Sequence, residues 1–267
     1  MRPLFSTADL ALAARMEAAD AANIMQMAQS AAPVLPDTAF QPFAGGFAVF
    51  AGAGSPMTHA VGIGLSGPVS EPELEAMENF FRERGSPCLV DLCPLAHAGV
   101  IGFFQSRPYR PIEFNNVLAR RILADEAFDP VLAAEAVLES RISLWSQIVS
   151  EAFSEYMPVS AQAVELLAAS CRSSICWLAG EESPEAGAAM GVQNGVALFY
   201  GDATRMSARR KGWQSRLIRA RLADAQRRGC DLAMTSVLPG SASHRNYERA
   251  GFQLIYMRVN LSRDFLL

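Results

Sequence analysis

The run Ala203-Thr-Arg-Met-Ser-Ala-Arg-Arg-Lys-Gly-Trp-Gln-Ser-Arg-Leu-Ile218 says most about this chain. The apolar stretch before it reads as a strand ending near Thr204. Apolar spacing from Trp213 onward reads as a helix. The loop between them carries Arg205, Arg209, Arg210, Lys211 and Gly212 and no acid; Lys211 is the only lysine of the chain. A strand that feeds a loop into a helix N-terminus leaves several backbone N–H groups unpaired and aimed at one spot. The helix dipole adds partial positive charge there. Gly212 allows a positive φ and a close approach of backbone to an anion. This is the composition of a phosphate cradle, and a pyrophosphate would suit it. The competing reading is a solvated basic helix start. The spacing excludes a Walker loop and a dinucleotide-binding glycine fingerprint.

Working outward, residues 188–192 and 196–204 are strands joined at Asn194-Gly195, a hairpin signal. Upstream lie a strand at 131–137, helices at 142–153 and 160–170 separated at Pro158, and a strand at 175–179. Downstream the helix from Trp213 ends at Gly229. A strand at 231–237, a turn at 239–241, a short helix at 243–250 and a last strand at 252–261 follow. The first half repeats this order more faintly. It has a helix at 7–29, strands at 47–51 and 60–65, and a helix capped by Ser70 that stops at Gly85. A strand at 88–92, a helix at 97–106 and a strand at 112–122 complete it. Phe252 comes 23 residues after Gly229, and Tyr109 24 after Gly85. This is a weak duplication at the level of fold, with residues 123–130 as the junction.

A second motif lies at Pro239-Gly-Ser-Ala-Ser-His-Arg-Asn-Tyr-Glu-Arg-Ala-Gly-Phe252. Arg209-Arg210-Lys211-Gly212-Trp213 resembles the first five positions of [Q/R]-x-x-G-x-[G/A], the acyl-CoA signature of the GNAT N-acyltransferases. Gln214 stands at the sixth. Tyr247-Glu-Arg-Ala-Gly-Phe252 resembles the family's Y-E-[KR]-x-G-F pattern. The two motifs occur in the family's order and cover roughly 131–267.

The resemblance implies an α+β (mixed α/β) fold: two tandem GNAT-like domains, each a mixed, mostly antiparallel central sheet flanked by helices. The domains would be 1–124, without a cofactor site, and 125–267. It also implies direct acetyl transfer from acetyl-CoA to the amine of a small substrate. The cofactor would lie on Thr204, Met206, Arg209, Arg210, Lys211, Gly212, Trp213, Gln214 and Ser215, with Asn246 on the pantetheine arm. Tyr247 matches the family's general acid. Asp202, the acid on the central strand, is the candidate base, with ordered water as its rival. The alternative function is a catalytically inactive CoA-binding or sensing module.

The rest of the sequence narrows the field. Net charge is −4, but residues 1–199 carry −12 and residues 200–267 carry +8. An anionic partner for the basic part follows: a nucleic acid, an acidic lipid surface or a phosphorylated cofactor. No aromatic platform interleaves with the arginines, so nucleic acid ranks last. No apolar run reaches membrane-helix length, and Asp9 and Arg15 interrupt the N-terminal one. Five cysteines, an odd number, fit a reducing cytoplasm. Cys88-x4-Cys93 and Cys171-x4-Cys176 have no histidine beside them at ligand spacing, so no metal is expected. In the first half, Pro68 stands where Gly212 stands in the second. Glu71, Glu73 and Glu75 follow it with no base in residues 61–75. The expectation is one cofactor per chain, bound after residue 195.

Overall fold

Asp9 opens α1 (Leu10–Ala31) by accepting a hydrogen bond from the Leu12 N–H at 3.0 Å. Its β-region backbone and short carboxylate are what an N-cap needs. The computed structural model describes residue 5 and residues 9–128, 134–154, 159 and 161–265. Residues 7 and 8 of the expected first helix, 131–133 of the expected strand, and Pro158 lie outside the described residues.

By their internal contacts the chain forms two units: Leu4–Val117 together with Leu254–Leu267, and Leu118–Gln253. In the first, α1 precedes β1 (Ala39–Phe43) and β2 (Gly46–Phe50). These two form a hairpin around Ala44 and Gly45, both at positive φ. Sequence patterning missed β1 because Pro42 lies in it. Proline cannot donate to a ladder, but it is tolerated on a strand at the edge. β2 pairs antiparallel with β3 (His59–Val61), which pairs parallel with β4 (Cys88–Leu92). β3 is shorter than the expected 60–65 because Gly62 and Gly64 turn at positive φ. The Gly64 N–H then donates to Ala44 O at 2.8 Å. Helices α2 (Glu71–Arg82) and α3 (Ala98–Gln105) pack Leu74, Met77, Phe80, Phe81, Val100 and Phe104 onto the sheet. β5 (Arg110–Arg121) ends this half; its last residues, Leu118–Arg121, belong to the second unit.

The second unit orders β6 (Ala134–Ala136), β7 (Ile175–Ala179), β8 (Ala186–Gln193), β9 (Val196–Thr204) and β10 (Leu232–Val237). All pair antiparallel except β9 and β10, which run parallel. One face is covered by α4 (Ile142–Ser154) and α5 (Ala161–Arg172), with Trp145, Ile148 and Val149 against Leu178, Ala189 and Ala203. The other is covered by α6 (Trp213–Arg227) and α7 (Ala242–Arg249), with Ile218, Leu222 and Tyr247 against Met190, Ala197 and Phe199. The strand order of the first unit recurs here: a hairpin, a third strand, and a fourth parallel to it.

Besides the end of β5, a second strand departs from the expected division. β11 (Gln253–Arg263) follows α7 in sequence, but residues from Leu254 belong to the first unit. Val259–Arg263 pair antiparallel with Leu92–Cys88 of β4. The side chains agree with this placement: Leu261 and Val259 pack in the first unit's core, and Arg258 is buried against Glu17, Asp20 and Asp91.

Candidate functional site

β9 and β10 pair from Val196–Leu232 as far as Phe199–Thr235 and then part. Beyond that rung β9 runs on to Thr204 along β8, while β10 ends at Val237. Thr235 fills the crotch: its hydroxyl donates to Phe199 O at 3.0 Å. Gly201, at φ +65, makes a bulge against the Gly187/Ala189 stretch of β8. An extra residue shifts the two-residue alternation by one. Asp202 therefore shares Phe199's face, toward α6, while Tyr200 and Ala203 face α4. The bulge thus decides the facing of Asp202.

Three side chains meet at this fork. The Tyr247 hydroxyl donates to Asp202 Oδ2 at 2.5 Å. The other Asp202 oxygen takes Arg221, whose Nη2 also lies 3.2 Å from the Tyr247 hydroxyl. Tyr247 and Arg221 are wholly buried. Burial lifts the Tyr247 pKa above that of an ordinary phenol; Arg221 opposes the shift and Asp202 adds to it. Tyr247 stays in place through edge-on packing against Phe252, ring centres 4.9 Å apart, and contact with Phe199.

The basic loop leads from this fork to α6. Met206–Ala208 make one 3-10 turn, with Met206 exposed. Arg209 Nε reaches Thr204 O at 3.4 Å. Arg210 and Gly212 both take positive φ. Gly212 is the N-cap of α6 and has no side chain with which to cap it. A Cβ at Gly212 would meet nothing within 4 Å, so the glycine serves backbone conformation and the space in front of it is open. Trp213 is buried against Trp177 and Ala188. Its indole N–H donates to Glu185 at 3.1 Å, and Lys211 pairs with the same carboxylate at 3.2 Å. Gln214 bridges to α7, donating to Ser243 at 2.8 Å and accepting from Asn246 at 2.7 Å. Ser215 is half-buried in the first turn of α6.

The structure thus brings Asp202 and Tyr247 into contact, and Gln214 and Asn246 into contact, with Thr204 and residues 206–215 on the path between strand fork and helix. The residues present fit a pyrophosphate: an uncapped helix N-terminus, open space before Gly212, and cations at Arg209, Arg210 and Lys211. Sequence reading missed Arg221, Glu185 and Thr235. Arg221 did leave a signal, since it lies four residues after Leu217 on the buried stripe of α6. Glu185 left none. Among the described residues no group of His, Cys, Asp and Glu could hold a metal ion.

The matching region of the first unit is built differently. Beyond β3, Gly64 O accepts the His97 N–H at 2.8 Å, tying the loop after β3 to the N-cap of α3 (Ala98–Gln105). α2 is capped by Ser70, which accepts from Glu73 N, and Pro72 occupies its first turn. The expectation that its acids stand uncompensated is corrected. Arg107, far along the chain, pairs with Glu71 at 2.8 Å and Glu75 at 3.0 Å, and Glu73 accepts from Ala44 N at 2.7 Å.

A mixed sheet whose parallel central pair opens into a fork, with a helix starting from the loop beyond it, is the fold of the GCN5-related N-acetyltransferases. This chain carries that fold in tandem form. It superposes on a GCN5-related N-acetyltransferase from Kribbella flavida with a TM-score of 0.67 at 18% identity, over 94% of this chain and 95% of that one. A tandem GNAT protein from the clavulanic acid biosynthesis pathway, solved without acetyl-CoA, gives 0.57 at 14% identity over 92% and 96%. A putative GNAT-family acetyltransferase from Novosphingobium aromaticivorans gives 0.51 at 17% identity over 74% and 83%. No protein-family model and no curated protein matches the sequence. At these identities the likeness is one of fold.

Proposed function

We propose that the chain is an acyl-CoA-dependent N-acyltransferase that moves an acetyl group from acetyl-CoA to the amine of a small molecule. One observation carries this reading: the strand fork ends at the Tyr247 hydroxyl and opens toward the uncapped start of α6. Acetyl-CoA would supply an activated thioester. The N–H groups of 209–215 would bind its pyrophosphate, with Arg209 and Arg210 neutralising charge. The free edge of β9 near Asp202 and Thr204 would pair with the pantetheine amides, and Asn246 would border that arm. Tyr247 is the proton donor for the departing sulfur, a role suited to a phenol. Asp202 is a poor candidate for the base, because both its oxygens are engaged. Water in the fork is the better one.

The second reading is a CoA-binding sensor of the same fold. It is favoured by the complete burial of Tyr247, whose proton is already given to Asp202. No described helix is long and apolar enough to cross a membrane. The five cysteines are free and buried, which supports the cytoplasm as the place of action. Calorimetry with acetyl-CoA, followed by an amine screen read by thiol release, separates the readings. Binding with turnover supports the enzyme. Binding with no turnover across a broad screen supports the sensor, and absence of binding defeats both.

A further inference from the structure

Arg221 is a guanidinium with no exposed surface, placed among the mostly apolar buried residues of α6. A charge so buried is costly unless every donor is used. Here two backbone carbonyls fix its plane: Nε donates to Leu217 O at 3.2 Å and Nη1 to Ala189 O at 2.9 Å. The plane lies over the Phe199 ring, 4.5 Å from its centre. Only Nη2 is left, and it points at Asp202 and the Tyr247 hydroxyl. The charged groups facing that hydroxyl are Asp202 from β9 and Arg221 from α6, while β10 contributes the neutral Thr235.

We infer that Arg221 is the positioning residue of this site: it holds the Tyr247 hydroxyl in the fork and stabilises the phenolate left when Tyr247 gives up its proton, with Asp202 as the resting acceptor. This rests on the acyltransferase reading. In the step, the amine nitrogen bonds to the acyl carbon and the C–S bond breaks, its electron pair going to sulfur. The Tyr247 proton passes to sulfur, leaving the phenolate opposite Arg221. The acylated nitrogen loses its proton to solvent, and the phenolate recovers one from solvent. Without Arg221, burial and Asp202 would both oppose that phenolate.

The test places 3-fluorotyrosine at position 247 of the full chain and follows its ionisation by fluorine NMR against pH, with no acetyl-CoA present. Arg221→Gln should raise the fluorophenol pKa by about 1 unit or more, and Asp202→Asn should lower it by a similar amount, as expected for charges at hydrogen-bond range. Arg221→Lys, which keeps the charge, should shift it less than Arg221→Gln. A merely structural pair would move both charge-removing variants the same way, toward free fluorotyrosine, and that result would overturn the inference. If Arg221→Gln fails to fold, Arg221→Lys decides: a fluorophenol pKa that falls below that of the unsubstituted chain, toward free fluorotyrosine, overturns the inference. A parallel assay with acetyl-CoA should show Arg221→Gln losing kcat with its Kd for acetyl-CoA kept, and Arg221→Lys restoring part of the rate. A wild-type chain that binds no acetyl-CoA defeats the functional reading while the fluorine titration still judges the arginine.

Discussion

Thr235 gives its hydroxyl to the carbonyl of Phe199 at the last rung shared by β9 and β10. Beyond this rung the two parallel strands part inside a packed unit. Both residues are buried, Phe199 at 2% and Thr235 at 4% exposure.

Thr235→Val keeps the shape and removes the donor. Loss of this buried hydrogen bond should cost about 0.5–1.5 kcal/mol. All three tryptophans, Trp145, Trp177 and Trp213, lie in the unit that contains this fork. Their fluorescence in a urea titration therefore reads this unit alone. An unchanged midpoint would show that the bond does not support the fork.

The cradle is tested by Arg209→Glu and Gly212→Asp. Each sets a carboxylate toward the phosphates, and the second also puts a side chain at φ +83. Acetyl-CoA binding should weaken by about 1–3 kcal/mol. Wild-type affinity in a folded Gly212→Asp protein would remove the pyrophosphate from this loop.

Tyr247→Phe should lower kcat roughly 100- to 10,000-fold, the span over which acid catalysis usually acts, and leave acetyl-CoA affinity nearly intact. A small change in kcat would hand the proton to another donor.

Stoichiometry separates the two units. The Ser70 cap on α2 and the Gly64–His97 bond close the first unit's counterpart of the cradle. Calorimetry on the full chain should give one acetyl-CoA per chain. Two comparable sites would contradict this.

Burial pushes the Cys88 and Cys93 thiols up to about 12, and all five cysteines are buried. The thiolate is the reactive form. Ellman's reagent at pH 8 should therefore find no fast thiol in the native chain and five after denaturation. A fast native thiol would show that one of these pockets opens.

The sequence revealed most where the chemistry is local. The loop before Trp213 and the Tyr247 motif each fit within about a dozen residues, so their glycines, caps and charges could be read in order. Ser70 was legible as a cap for the same reason. What stayed hidden depends on distant partners. Glu185 meets Lys211 across a hairpin, and Arg107 meets Glu71 across a helix and a strand. Asp202 gained its facing from one glycine bulge. Neighbour rules cannot supply the pairing of β11, since its apolar alternation would suit either unit.

The place of β11 also bears on how the chain is made. A ribosome at ~5–20 residues per second adds the stretch between Cys88 and Arg263 over roughly ten to thirty seconds. Throughout that interval β4 lacks the neighbour it has in the finished protein. Its bare row of N–H and C=O groups is open to mispairing. The half translated first is thus the half completed last. A holding chaperone would have its use on the nascent first half, while the second could close its sheet early.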